Sequence, residues 1–210
     1  MRFILTKSPI SYERYVKFSE KLRIWRKEAT LLVEHTPVIT EGKNSLPGDL
    51  LAIPEELSKK GIELISLSRG GQYTAHEPGQ WVIYPHIDLE KRNWKLGDFL
   101  HDFIQTIQVS IRELTKVDLV EHRSDPGLYL RDFPHSKIVS IGIYAKRSFT
   151  SFGAAINASN DLSTFQWINP CGKNSSQMSN LELHSKVKFT KQEFAEKYQS
   201  HWRNLPKIRT

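Results

Sequence analysis

Three apolar runs, GLYL at 127–130, KIVSIGIY at 137–144 and FTSFGAAIN at 149–157, follow one another with only turn-sized gaps between them. No other feature of the chain constrains its fold as much. Short runs rich in β-branched and aromatic residues, set this close together, read as neighbouring strands of one sheet. Helical periodicity surrounds them. Tyr12, Tyr15, Phe18, Leu22 and Trp25 recur at steps of three and four. They predict an amphipathic helix that keeps Arg14, Lys17, Lys21 and Arg23 wet. Phe99, Phe103, Ile107, Ile111 and Leu114 mark a longer helix, with Asp98 after Gly97 as the expected N-cap. Thr190 and Glu193 form a capping box ahead of a last helix that aligns Phe194, Tyr198 and Trp202. Further strands are expected at 30–33, at 62–67 and at 81–84, and a short helix between Pro54 and Gly61. No repeat or Pro/Gly linker divides the chain. The expectation is one α/β (α+β) domain over residues 1–210, a mixed β-sheet flanked by helices.

Charge is distributed unevenly. The first 30 residues hold eight Lys/Arg and three Glu, and residues 185–210 hold seven Lys/Arg and two Glu. Each end carries +5 within a net +7, and such surfaces meet acidic partners or are simply solvated helix faces. No stretch of about 18 apolar residues is present and the first residues lack a signal peptide's apolar core, so neither a membrane protein nor an exported one is expected. One cysteine, Cys171, excludes an internal disulfide framework and a cysteine-built zinc site, and a reducing cytoplasm is the expected location.

Three segments do not read as core. RGGQYTAHEPGQ at 69–80 places paired glycines after a strand, where φ > 0 or close approach of backbone to a ligand is permitted. Alone it reads as a surface turn, and it fits neither the dinucleotide fingerprint nor a P-loop. His76, His86 and Asp88 match no zinc spacing and are expected to be polar loop residues rather than metal ligands. Lys137 opens the apolar run SKIVSIGI at 136–143. A lysine there is usually an exposed strand-end gatekeeper, unless desolvation lets it exchange its proton near neutral pH. Cys171 lies between Pro170 and Gly172 in INPCGK, a tight turn that presents a thiol more readily than a packed strand does.

Taken in order, the three segments resemble the lipoyl(octanoyl) transferase family. Its R-G-G-x-x-T-x-H-x-P-G-Q loop, K-I-x-x-I-G strand and N-P-C-G turn are matched by residues 69–80, 137–142 and 169–172. LLVEHTPVIT at 31–40 and NASNDLSTFQWINPCG at 157–172 extend the likeness to about residues 31–183. Two positions depart from it: Phe152 stands before Gly153 where the family usually has histidine, and Glu77 stands where glycine is common.

The resemblance implies a fold similar to the biotin and lipoate protein ligase catalytic domain. It implies transfer of an octanoyl group from acyl carrier protein, through a cysteine thioester, to a lysine of apo-lipoyl domains. Those acceptors belong to 2-oxoacid dehydrogenase E2 subunits and the glycine cleavage H protein. Cys171 would be the nucleophile and Lys137 its acid/base partner. Arg69, Gly70, Gly71 and Gln72, then Tyr73, Thr74, Ala75 and His76, would line the substrate pocket from one side. Ser140, Ile141 and Gly142, with Gly153, Ala154 and Ala155, would line it from the other. No metal or nucleotide cofactor is implied, since a thioester is already activated, and neither nucleic acid nor membrane is an expected partner. The rivals are an ATP-dependent lipoate or biotin ligase, which needs no cysteine, a cysteine hydrolase using His184 or His76, and a non-catalytic basic binding protein on the same fold. The absence of RNP, KH and zinc-knuckle patterns argues against an RNA-binding version of the last.

Overall fold

The computed structural model describes residues 2–67, 69, 71–122, 125–170 and 177–204. Its main sheet has seven strands in the order β1 (Arg2–Leu5), β2 (Ala29–Val33), β6 (Gln80–His86), β10 (Phe149–Asn157), β9 (Lys137–Lys146), β8 (Gly127–Leu130) and β7 (Leu119–Glu121). Only the β1–β2 pair is parallel. A smaller mixed sheet sets β3 (Val38–Glu41) between β4 (Glu63–Ser66) and β5 (Thr74–His76). The fold class is thus the expected mixture of helices and mixed sheet.

Strand alternation explains how the large sheet buries both faces. Leu32, Ile83, Ala154 and Ile156 face helices α3 (Leu96–Thr115) and α4 (Lys191–Asn204), together with Phe99, Phe103, Ile107, Phe194 and Tyr198. Their neighbours Leu31, Val33, Val82, Tyr84 and Ala155 face α1 (Tyr12–Ile24). A third cluster, Ile39, Leu57, Ala75, Phe165 and Ile168, packs the small sheet against α2 (Pro54–Lys59) and the 3-10 turn at Ser163–Trp167.

Three expectations need correction. In α1 the buried residues are Tyr12, Tyr15 and Leu22, while Phe18 is exposed and Trp25, beyond the helix end, is 61% exposed. At about 100° per residue, Phe18 has rotated roughly 75° away from the mean direction of the other three. The N-cap of α3 is Lys95, so Asp98 lies in the first turn, where its charge still suits the helix dipole. His76 and His86 are not loop residues: each is a buried strand position. Among the described residues no helix is long and apolar enough to cross a membrane, and no three His, Cys, Asp or Glu cluster as metal ligands.

Candidate active site

The 69–80 loop is secured by its own polar groups. Arg69 donates through Nη2 to the Thr40 carbonyl (2.8 Å) and to Thr40 Oγ1 (2.7 Å). Gly71 takes the positive φ expected of it (82°), and Tyr73 donates its hydroxyl to Glu41 at 2.8 Å. Residues 74–76 then pair with β3, which converts an apparently irregular polar segment into a strand.

At the end of the loop, Gln80 Nε2 donates to the Ala75 carbonyl (3.2 Å) and to Asn157 Oδ1 (2.9 Å). Its Oε1 therefore faces His76 Nδ1 at 2.7 Å, so that nitrogen carries the proton. Asn157 donates in turn to the Ser179 carbonyl at 3.1 Å. One relay of buried amides thus joins the glycine-rich loop, the end of β10 and the chain that follows residues 171–176. Glu77, unusual for the pattern in the sequence, has a structural task. It is buried and accepts from Asn160 Nδ2 and from the Thr164 N–H, both at 2.8 Å, holding the turn that leads to Asn169 and Pro170.

These segments surround a cavity of about 460 Å³. Arg69, Gly71, Gln72, Tyr73, Thr74 and His76 line it from the loop. Ser140, Ile141 and Gly142 line it from β9, with Gly153, Ala154 and Ala155 from β10. Ala75 does not; it packs into the third apolar cluster. Gly70 and Cys171 lie outside the described residues. Pro170 and Gln177, on either side of residues 171–176, both line the cavity.

Lys137 is on the cavity wall and only 6% exposed, which excludes the exposed gatekeeper role. Its Nζ is 2.8 Å from Asp125 Oδ1, whose other oxygen accepts the Tyr129 hydroxyl at 2.6 Å. Gly127 makes this possible, because a Cβ there would stand 2.4 Å from Lys137 Cε. Neither Asp125 nor Tyr129 stands out in the sequence as a site residue. The signal available was a carboxylate in a Pro-Gly turn that pairs back onto the lysine strand.

Phe152 also lines the cavity. It adopts φ of 61° within β10, a left-handed conformation costing about 1–2 kcal/mol for a residue with a Cβ. Its N–H donates to the Tyr15 hydroxyl at 3.2 Å, so the bend leaves no orphan donor. Tyr15 stacks on Tyr84 (3.7 Å), and Tyr84 shares a hydrogen bond with His35 Nε2 (2.9 Å). Tyr12, which stacks on His76, has its hydroxyl pushed up to about 12 by burial.

Burial also lowers His35 to about 4, His76 to about 3, with His35 nearby adding to the effect, and His86 to about 4. These imidazoles are neutral at pH 7. In the unfolded chain they would titrate near 6.5, so below that pH the unfolded state binds more protons than the folded one. Stability should be complete above about pH 6.5 and fall as the pH drops towards about 4. Urea midpoints measured across that window should decline steeply, and a flat profile would contradict the buried, neutral assignment.

The lipoyl protein ligase A/B catalytic domain model matches residues 13–203. The chain belongs to that family. A protein named octanoyltransferase from Leptospira interrogans is 45% identical over 87% of this chain and 84% of its own length. Another so named, from Koribacter versatilis, is 36% identical over 74% of this chain and 62% of its own. Among solved structures, lipoate-protein ligase A bound with ATP superposes with a TM-score of 0.76 at 14% identity, covering 96% of this chain and 83% of that one. Biotin protein ligase from Aquifex aeolicus gives 0.53 at 10% identity, over 97% and 68%. The last two likenesses establish the fold alone, which is the ligase-like catalytic fold expected from the motifs.

Proposed function

We propose that the chain is an octanoyltransferase that moves an octanoyl group from acyl carrier protein to a lysine of apo-lipoyl domains, acting as one catalytic domain. The observation that carries this reading is Lys137. A buried lysine sits on the wall of a largely apolar cavity, in a chain with relatives at 45% identity that are named octanoyltransferase. The cavity suits a medium-length acyl chain: Ile141, Leu100 and Ile104 give it apolar surface, while Gly142, Gly153 and Ala155 leave room.

In this mechanism Cys171 reacts as the thiolate paired with the Lys137 ammonium, and the thiolate attacks the thioester carbonyl carbon. The bond from that carbon to the carrier's sulfur breaks, and the departing thiolate takes a proton from the Lys137 ammonium, which leaves a neutral amine. The acceptor lysine then attacks the acyl-cysteine. Its surplus proton goes to the neutral Lys137 amine, and Cys171 leaves as thiolate. Lys137 serves both half-reactions, once as acid and once as base. A free thiol, pKa about 8.5, is only a few per cent ionised at pH 7, so an adjacent ammonium is what makes it reactive. Neither metal nor nucleotide takes part, because the thioester enters already activated. A lone thiol nucleophile also suits a reducing cytoplasm.

The basic ends suit acidic carriers. Arg14, Lys17 and Lys21 are exposed along α1, whose first residue, Tyr12, reaches the cavity. The protein should transfer octanoate from octanoyl-acyl carrier protein to an apo-lipoyl domain with no ATP. Its kcat/KM should fall as salt rises, since exposed charges are screened within about 8 Å at physiological ionic strength. Transfer that requires free octanoate and ATP would instead make the protein a ligase.

A further inference from the structure

We propose that Asp125 is a positioning residue that holds Lys137 as an ammonium, aimed along the cavity wall, and that Tyr129 holds Asp125 in turn. This rests on the reading of Lys137 as the acid/base group and deepens it. The three side chains come from one hairpin. Strand β8 pairs with β9 so that Leu128 faces Val139, with a register shift beside Tyr129, which is opposite Lys137. The shift and the missing Cβ of Gly127 let the lysine fold back over its partner strand. Its Nζ is then 2.8 Å from Asp125 and 5.4 Å above the Tyr129 ring.

Both charged side chains are less than a tenth exposed, so water does little to solvate either. The departing thiolate needs a proton donor that points at it. An octanoyl chain entering the cavity would exclude still more water. The carboxylate at hydrogen-bond distance gives the ammonium a fixed, charge-assisted partner inside the cavity. It also occupies one of the three ammonium donors and so fixes the direction of the other two. The Tyr129 hydroxyl, 2.6 Å from the second carboxylate oxygen, restricts Asp125 in the same way. The face of the Tyr129 ring adds a weaker attraction for the cation.

The two half-reactions make different demands. Thioester formation needs the ammonium as acid, whereas aminolysis of the acyl-cysteine needs the neutral amine as base. Asp125→Asn keeps the size of the side chain and a hydrogen-bond partner for Tyr129 but removes the charge. Mixed rapidly with octanoyl-acyl carrier protein, that variant should form the acyl-enzyme about 10- to 100-fold more slowly. Preformed acyl-enzyme should pass its octanoyl group to an apo-lipoyl domain within about threefold of the wild-type rate. In the Lys137→Met background, Asp125→Asn should have almost no further effect, since it acts only through the lysine.

Equal slowing of both half-reactions, or an undiminished effect in the Lys137→Met background, would show that Asp125 only supports the fold and would overturn the proposal. So would an Asp125→Asn variant with wild-type rates. If Lys137→Met itself acylates like wild type, the acid/base reading fails, and the positioning role falls with it for a distinguishable reason. Should Asp125→Asn not fold, Tyr129→Phe gives the second test. It keeps the ring beneath Lys137, removes the hydrogen bond to Asp125, and should show the same split at about two- to fivefold. No split in that variant would count against the proposal.

Discussion

Lys137→Arg should still acylate Cys171 to a measurable degree yet stall before the second transfer, so that acyl-enzyme accumulates and turnover falls about 10²- to 10⁴-fold. Arginine keeps the positive charge that favours the thiolate but does not release its proton at any working pH. Lys137→Met should lose both half-reactions at pH 7, and part of each should return at higher pH, where the Cys171 thiol and the acceptor ammonium lose their protons unaided. The methionine variant also has a cost in stability. It breaks the buried Lys137–Asp125 pair, and breaking a buried pair costs about 3–5 kcal/mol. Urea midpoints beside the rates separate the two effects. An arginine variant that turns over like wild type would mean that charge alone suffices.

The second large effect concerns Gly142. It lines the cavity, is paired with Gly153 in the centre of the β9–β10 hairpin, and a Cβ built on it would meet nothing within 4 Å. Valine should therefore fit the strand and even favour it, since glycine inside a strand is about 0.5–1 kcal/mol less favourable than a residue with a side chain. Its methyl groups would occupy space the acyl chain needs. One misplaced methylene in an apolar pocket is worth about 10- to 200-fold in discrimination. Gly142→Val should keep or raise the urea midpoint while octanoyl transfer drops by that order and shorter acyl donors lose less. Equal activity on octanoyl and butyryl donors at wild-type rates would place the acyl chain elsewhere. Gly153 offers no such test: a Cβ there would stand 1.8 Å from the Ile83 carbonyl, so the fold itself would fail.

Strands β8 and β10 fall on the residues expected from the apolar runs, and β9 extends two residues past its expected end. These strands are central or near central, so their side chains are buried on at least one face and the pattern is strong. Strands β1, β3, β5 and β7 are three or four residues long, and β5 is the polar Thr-Ala-His. Their pairing with distant chain, rather than local preference, makes them strands, and no local pattern reveals that. The loop and strand that line the cavity stand out in the sequence only when read together as a family pattern, since each alone reads as a turn or a strand end; Cys171, in the third segment, lies outside the described residues. The partners of Lys137 do not stand out. Asp125 and Tyr129 are 12 and 8 residues before it, and only the hairpin register brings them to its ammonium. Glu77 shows the reverse case. It looked like a departure at the site and is instead a buried ligand of the Asn160–Thr164 turn.

The central claim is that this cavity loads an octanoyl group covalently onto Cys171 from an activated thioester. Intact-mass measurement after mixing the protein with octanoyl-acyl carrier protein, without ATP, tests it most directly. One octanoyl adduct should appear on the wild-type chain, disappear when an apo-lipoyl domain is added, and be absent from Cys171→Ala. An adduct that persists on Cys171→Ala, or one that forms on wild type only when ATP and free octanoate are supplied, would contradict the account.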